Sequence, residues 1–212
     1  GSSGSSAGPG SATSSGLVGF SIGSETWGSI ISPATRNGVT GLRPSFGTVS
    51  RSGAMALSWT MDKLGPMTRS VEGAAIIFET IRGTDNIDRT VRDVPFIYPS
   101  KKGLRNLRIG YVASAFVDSS TSKNDKASLN ILKSMDLNLI PIELPEFPTQ
   151  ALSFVLQAEA AAAFDDLTRS NKDDQLVRQV KNAWPNIFRE ARFIPAVEYI
   201  NANRARTLLN QK

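Results

Sequence analysis

Gly23-Ser24-Glu25-Thr26-Trp27-Gly28-Ser29-Ile30-Ile31-Ser32-Pro33-Ala34 is the stretch that decides how the rest of the chain is read. A run of small residues leads into a serine. Consecutive backbone N–H groups in such a turn can converge on one point and hold an oxyanion. Taken alone, the stretch also fits an ordinary loop. Outward from it lies a second small-residue segment, Gly4-Ser5-Ser6-Ala7-Gly8-Pro9-Gly10, with Ser5 placed 24 positions before Ser29. Seven serines and five glycines fill the first 16 residues, and the chain has no histidine and no cysteine. A flexible linker has the same composition. If the pair forms a hydrolytic site, its serine cannot be activated by histidine, and the base has to be a lysine or a carboxylate.

The bulk of the chain sets outer limits. Its 212 residues, 40% of them apolar, suffice for one sizeable core. The formal charge of +5 invites a nucleic-acid reading. The basic residues are spread out, however, and carry no stripe or aromatic RNA-binding motif, so no direct nucleic-acid contact is expected. The tightest basic cluster, Lys101, Lys102, Arg105 and Arg108, reads as a solvated loop. Zinc and haem sites that need His or Cys ligands are excluded within this chain, and no metal or cofactor is expected. No apolar run approaches the ~20 residues of a membrane helix. The lack of cysteine fits a reducing compartment, and the expected setting is cytoplasmic.

Residues 1–66 are dense in Gly, Ser, Thr and Pro and read as tightly packed loops and short strands, with Leu17–Ser21 and Thr48–Ser50 as strands. Ile22, Trp27, Ile30, Val39, Leu42, Phe46 and Val49 are the expected core. Ser70 caps a helix carrying Val71, Ala74, Ala75, Phe78 and Ile81, and Gly83 stops it. A strand at 107–112, a helix at 126–135 and a strand at 137–142 follow, an order that predicts a parallel pair. Helices are expected at 151–167, built on the alanine run 158–163, at 173–183, ending near Pro185, and from Pro195, with Val197, Ile200 and Leu208 on one side.

Taken together, these segments resemble the amidase signature family. The likeness rests on the two Ser/Gly segments and on Gly41-Leu42-Arg43-Pro44, Phe46-Gly47, Val49-Ser50-Arg51 and Met61-Asp62-Lys63-Leu64-Gly65-Pro66. It is strong over residues 1–82 and loose beyond. It implies an α/β fold with a mixed β-sheet core flanked by helices. The chain would be one partial domain: a signature core at 1–82, an α/β segment at 83–148 and a helical segment at 149–212.

The resemblance also implies a Ser–cis-Ser–Lys mechanism for cleaving a linear carboxamide. Ser29 is then the nucleophile, and Ser5 relays a proton between Ser29 and the lysine. The Gly4–Ser5 peptide would be cis, and Ser6 would hold the loop. The N–H groups of Thr26, Trp27, Gly28 and Ser29 would form the oxyanion hole. Such a serine loses its proton to a lysine that burial keeps neutral, and the acyl-enzyme is then opened by water. The chain departs from the family pattern at three positions. Trp27 brings a large side chain expected to shape the pocket, Ile31 removes a positive charge, and Glu25 stands where Asp is common and braces the loop.

The family's lysine lies upstream of the first Ser/Gly segment, and this chain begins at Gly1. The expectation is therefore a piece of a longer amidase, inactive by itself, lacking the N-terminal region and part of the C-terminal one. Lys63 is expected to be structural, as is Asp62. Arg43 and Arg51 are expected to tie turns together, and Trp59, Trp184 and Phe188 to pack. The substrate would be a small-molecule amide. Two alternatives stand beside this: a glutaminase-like amidotransferase component, and a catalytically dead piece or binding module.

Overall fold

A computed structural model describes residues 3–99, 103, 107–117 and 122–212. The chain divides into two compact units, Gly1–Phe96 with Thr149–Leu208, and Ile97–Pro148 with Leu209–Lys212. Three short strands, β1 (Ser21–Glu25), β2 (Thr40–Gly41) and β3 (Lys63–Thr68), form an antiparallel sheet in the first unit with β3 in the middle. Gly23 pairs with Gly65 and Glu25 with Lys63. β3 can sit so close to its neighbours because residue 65 has no side chain: a Cβ there would run into the Leu42 carbonyl.

Two helices, α1 (Ala7–Ser14) and α2 (Ile31–Asn37), pack on each other, and α1 also packs on β1 and β3. Loops and strands were the expectation for this Ser/Gly/Pro-rich region. Helix α1 corrects it, and tertiary bonds explain why. Arg69 donates to the carbonyls of Thr13, at 3.0 Å, and Val18, at 2.9 Å. Ser14 Oγ donates to the Asn37 carbonyl at 2.7 Å, and Ser21 Oγ to the Pro9 carbonyl at 3.0 Å. The hydroxyls that make the segment look like a linker are what hold the helix in place.

The strand expected at Leu17–Ser21 begins only at Ser21, because residues 15–20 turn the chain back from α1. At Thr48–Ser50 only Val49 forms isolated bridges, to Arg82 and Gly83. The core of the sheet is Ile30, Ala34 and Met67, with Val39 against it. Ile22, Trp27 and Phe46, expected in that core, are exposed. Alternation along β1 is the reason for Ile22: Gly23 and Glu25 face inward, so Ile22 faces out.

Helix α3 (Val71–Ile81) follows the sequence closely. Ser70 Oγ accepts from the Gly73 N–H at 3.0 Å, and the chain leaves the helix at Gly83 with φ +96°. In the second unit, β4 (Arg108–Val112) and β5 (Asn138–Ile142) pair in parallel, with α4 (Lys123–Ser134) between them in sequence. Ser122 caps α4, as its Oγ accepts from the Asp125 N–H at 3.1 Å. Of the basic cluster, only Arg108 falls among the described residues, in β4; Lys101, Lys102 and Arg105 lie outside them.

The first unit is completed by α5 (Ser153–Ala163), α6 (Asp165–Arg169), α7 (Trp184–Ala191) and α8 (Ala196–Gln211) up to its Leu208. The alanine run lets α5 lie close to α7, burying Ala160 and Ala161. Phe188 is buried and stacks between Phe164, with ring centres 4.9 Å apart, and Trp184, at 5.6 Å. Trp184 is partly exposed but packs on Phe188, as expected, whereas Trp59 is 51% exposed.

No helix forms at 173–183 beyond a short 3-10 turn at Lys172–Gln175. Gln179 Nε2 donates to the Asp173 and Leu176 carbonyls instead, and Val177 and Val180 face solvent. Pro185 opens α7 where it was expected to close a helix, since its fixed φ suits a first turn. Val197, Ile200 and Leu208 of α8 point outward, and Ala202 is the buried residue.

Glu159 of α5 ties these helices to the loop before β3. Its carboxylate accepts from Ser58 Oγ, from Thr60 N–H at 3.1 Å, from Thr60 Oγ1 at 2.6 Å and from Tyr199 OH at 2.8 Å. Burial alone would raise its carboxyl pKa. The hydrogen bonds from Ser58, Thr60 and Tyr199 outweigh that and hold it below the ordinary range.

Candidate active site

The turn Thr26–Ser29 joins the end of β1 to the start of α2, and three anchors fix it. Glu25, 2% exposed, turns inward beneath it. Its Oε2 accepts from the N–H of Ile30 at 2.9 Å and of Ile31 at 3.0 Å. Its Oε1 lies 3.7 Å from Arg43 Nε. Asp62 supplies the second anchor: Oδ1 accepts from Thr26 Oγ1 at 2.6 Å, and Oδ2 from the N–H groups of Leu57, at 2.8 Å, and Ser58, at 2.9 Å. Lys63 supplies the third, donating from Nζ to the carbonyls of Thr26, at 3.1 Å, and Met61. Burial and then the nearby Arg43 lower the Lys63 pKa, against the opposite pull of Glu25 and Asp62.

The first Ser/Gly segment lies along this turn. Ser6 N–H donates to the Ser29 carbonyl at 3.2 Å. Ser6 Oγ donates to the Ser24 carbonyl and accepts from the Ser24 N–H, both at 3.1 Å. Ser6 is thus bonded to both Ser24 and Ser29. Ser3 and Ser32 hydroxyls meet at 2.5 Å. Gly4 sits so tightly that a Cβ would come within 3.3 Å of Ser29 Cα and 2.8 Å of Pro33 Cδ. Its φ of +75° reverses the chain there. The cis peptide expected at Gly4–Ser5 is absent. The cis bond among the described residues is Tyr98–Pro99, and the left-handed glycine makes the turn instead.

A cavity of about 310 Å³ opens beside these segments. Ser5, Ser24, Thr26 and Asp62 are among its polar lining residues, and Met55, Trp59 and Ile87 among its apolar ones. Ser29, Gly28 and Trp27 are not among its lining residues. Trp27 is 57% exposed and does not shape this pocket, contrary to expectation. Arg51, also a lining residue, is engaged on all sides: by Asp88 at 3.0 Å, the Trp59 carbonyl at 2.7 Å, Thr90 Oγ1 at 3.0 Å and the Phe46 ring at 4.7 Å. It ties turns together, as expected. Sequence reasoning did not anticipate Glu159. Among the described residues, no hydrogen bond uses the N–H of Thr26, Trp27, Gly28 or Ser29.

The model of the Amidase family matches residues 2–210. The chain belongs to the amidase family. Within that family, it is 35% identical over 167 residues to the A component of the glutamyl-tRNA(Gln) amidotransferase of Staphylococcus haemolyticus (strain JCSC1435), covering 76% of this chain and 34% of that protein. The native peptide amidase of Stenotrophomonas maltophilia has the same fold, with a TM-score of 0.76 at 27% identity over 95% of this chain and 47% of that one. The corresponding A component of the Thermotoga maritima glutamyl-tRNA(Gln) amidotransferase matches with a TM-score of 0.74 at 25% identity, over 98% of this chain and 46% of its own. This amidase-family chain thus spans about a third of the length of the curated relative and just under half of the two solved chains. The α/β fold implied by the resemblance is observed, with its strands in one three-stranded antiparallel and one two-stranded parallel sheet among the described residues. No helix among the described residues is long and apolar enough to cross a membrane.

Proposed function

We propose that this chain carries the serine pair of an amidohydrolase that cleaves a small linear carboxamide in the cytoplasm, and that its 212 residues are part of a single amidase domain. Ser29 Oγ attacks the amide carbonyl, and Ser5 passes the proton onward and returns it to the departing amine. The N–H groups of Thr26, Trp27, Gly28 and Ser29 receive the oxyanion, each essential donor contributing about 3–4 kcal/mol. Water then opens the acyl-enzyme by the same route. The observation that carries this proposal is the bond from Ser6 N–H to the Ser29 carbonyl, which lays the Ser5 segment beside the Ser29 turn. Lys63 is not the base in this scheme, because its Nζ is spent on two carbonyls. The family resemblance implies a lysine base upstream of these residues, and on that reading the 212-residue chain alone is expected not to turn amides over.

In the natural-length protein, Ser29→Ala should abolish both ammonia release from simple carboxamides and labelling by an alkyl fluorophosphonate. Unchanged labelling would refute the assignment of the nucleophile. A second reading draws on the likeness to amidotransferase components: a glutaminase that feeds ammonia to a partner. Hydrolysis of simple amides by the purified protein without partners favours the free amidase. Activity that appears only with glutamine and added partner proteins favours the other.

A further inference from the structure

We propose that Lys63 is a positioning residue for the oxyanion-binding turn, a role that rests on the one proposed above for Thr26–Ser29. Lys63 opens β3 directly opposite Glu25, the last residue of β1. From there its Nζ donates to the Thr26 carbonyl at 3.1 Å and to the Met61 carbonyl. In a planar trans peptide the carbonyl of one residue and the N–H of the next point in opposite directions. Fixing the Thr26 oxygen therefore fixes the direction of the Trp27 N–H, one of the four donors assigned to the oxyanion.

Among the described residues, no other side chain donates to that carbonyl. The Trp27 side chain is exposed. Thr26 Oγ1 is bonded to Asp62, which holds the side chain of Thr26 and not its carbonyl. Glu25 grips the far end of the turn through Ile30 and Ile31. The turn is thus clamped at both ends, by an anion below its exit and a cation at its entry. A half-buried ammonium is costly unless its protons are bonded. Here they are spent on the peptide that needs orienting and on the carbonyl two residues before the lysine itself. An ionised donor makes the stronger hold, which is a reason for lysine over a neutral side chain.

The test uses the natural-length protein and an alkyl fluorophosphonate, with which Ser29 Oγ forms a bond to phosphorus as fluoride leaves. The phosphoryl oxygen occupies the oxyanion position, so the maximal labelling rate, kinact, reports on the turn, and the half-saturating concentration, KI, reports on the rest of the pocket. Removing one oxyanion donor outright costs about 10²–10³ in rate, so loosening one should cost about 10- to 100-fold. Lys63→Met is expected to lower kinact by that factor with KI within about threefold, and Lys63→Arg, which keeps a charged donor, is expected to recover most of the loss. If Lys63→Met does not fold, Lys63→Gln takes its place, and kinact should rank wild type, then Arg, then Gln. A folded Lys63→Met or Lys63→Gln protein with wild-type kinact, or one changed only in KI, overturns the proposal. Failure of the underlying assignment looks different: Ser29→Ala would then be labelled as fast as wild type, whatever Lys63 does.

Discussion

Glu25 offers the sharpest test of how the turn is built. Its Oε2 accepts two main-chain N–H bonds, at 2.9 and 3.0 Å, from a side chain that is 2% exposed. Hydrogen bonds to a charged group contribute about 1.5–3 kcal/mol each, and a buried donor left without a partner forfeits its solvation. Glu25→Ala removes both acceptors and should cost about 3–6 kcal/mol. Glu25→Gln keeps an oxygen for the two N–H groups but makes both bonds neutral, and it turns an amide NH₂ toward Arg43, for about 1–3 kcal/mol. Glu25→Asp keeps the charge on a stem one carbon shorter, so it must stretch both bonds or shift α2, and it should fall between them.

Urea unfolding followed by circular dichroism reads these values. With a slope of about 2 kcal/mol/M, the Ala variant should lose about 1.5–3 M in midpoint at constant slope. In the natural-length protein, activity should fall with stability in Ala and Asp, because the same two amides set where the turn meets α2. An Ala midpoint equivalent to a loss of less than about 1 kcal/mol would refute the idea that the carboxylate organises this turn.

Two further perturbations probe the frame around it. Glu159 has its folded pKa held below the ordinary 4.5, so its bonds add stability above about pH 4.5, and that contribution is lost as pH falls through the lower folded value. Urea midpoints from about pH 3 to 6 should rise more steeply in wild type than in Glu159→Gln, and parallel profiles would count against the network. Ile30→Ala opens a cavity at a fully buried position between Ala34 and Met67, and it should cost about 2–5 kcal/mol in the same assay. A cost below about 1 kcal/mol would mean that the core collapses around the gap.

Where local chemistry decides structure, the residues announced it. Ser70 and Gly83 bracket α3 because an N-cap hydroxyl and a left-handed glycine act within one turn of themselves. The parallel pair β4–β5 follows from alternating strands on either side of a helix. Helix α1 was hidden because its stability comes from Arg69, Asn37 and Ser21, all outside the helix itself. The helix expected at 173–183 does not form: its Asp, Val and Asn are weak formers, the Gln179 amide is spent on the Asp173 and Leu176 carbonyls, and Val177 and Val180 face solvent. The Ser5 and Ser29 segments were legible, because their small residues stand out. Glu159 was not, since a glutamate within an alanine run looks like any solvated residue until Ser58, Thr60 and Tyr199 arrive around it.

The bond between Ser58 and Glu159 spans 101 positions of chain. A ribosome adding about 5–20 residues per second needs on the order of 5–20 s to cover that distance. During that interval the nascent strands β1 to β3 can already pair and Asp62 can already accept from the N–H groups of Leu57 and Ser58, yet Ser58 Oγ and Thr60 still lack the Glu159 carboxylate. The Glu159 fastening of the loop near Trp59 therefore follows the sheet it serves, and a chain stalled before residue 159 would present its serines before that fastening is in place.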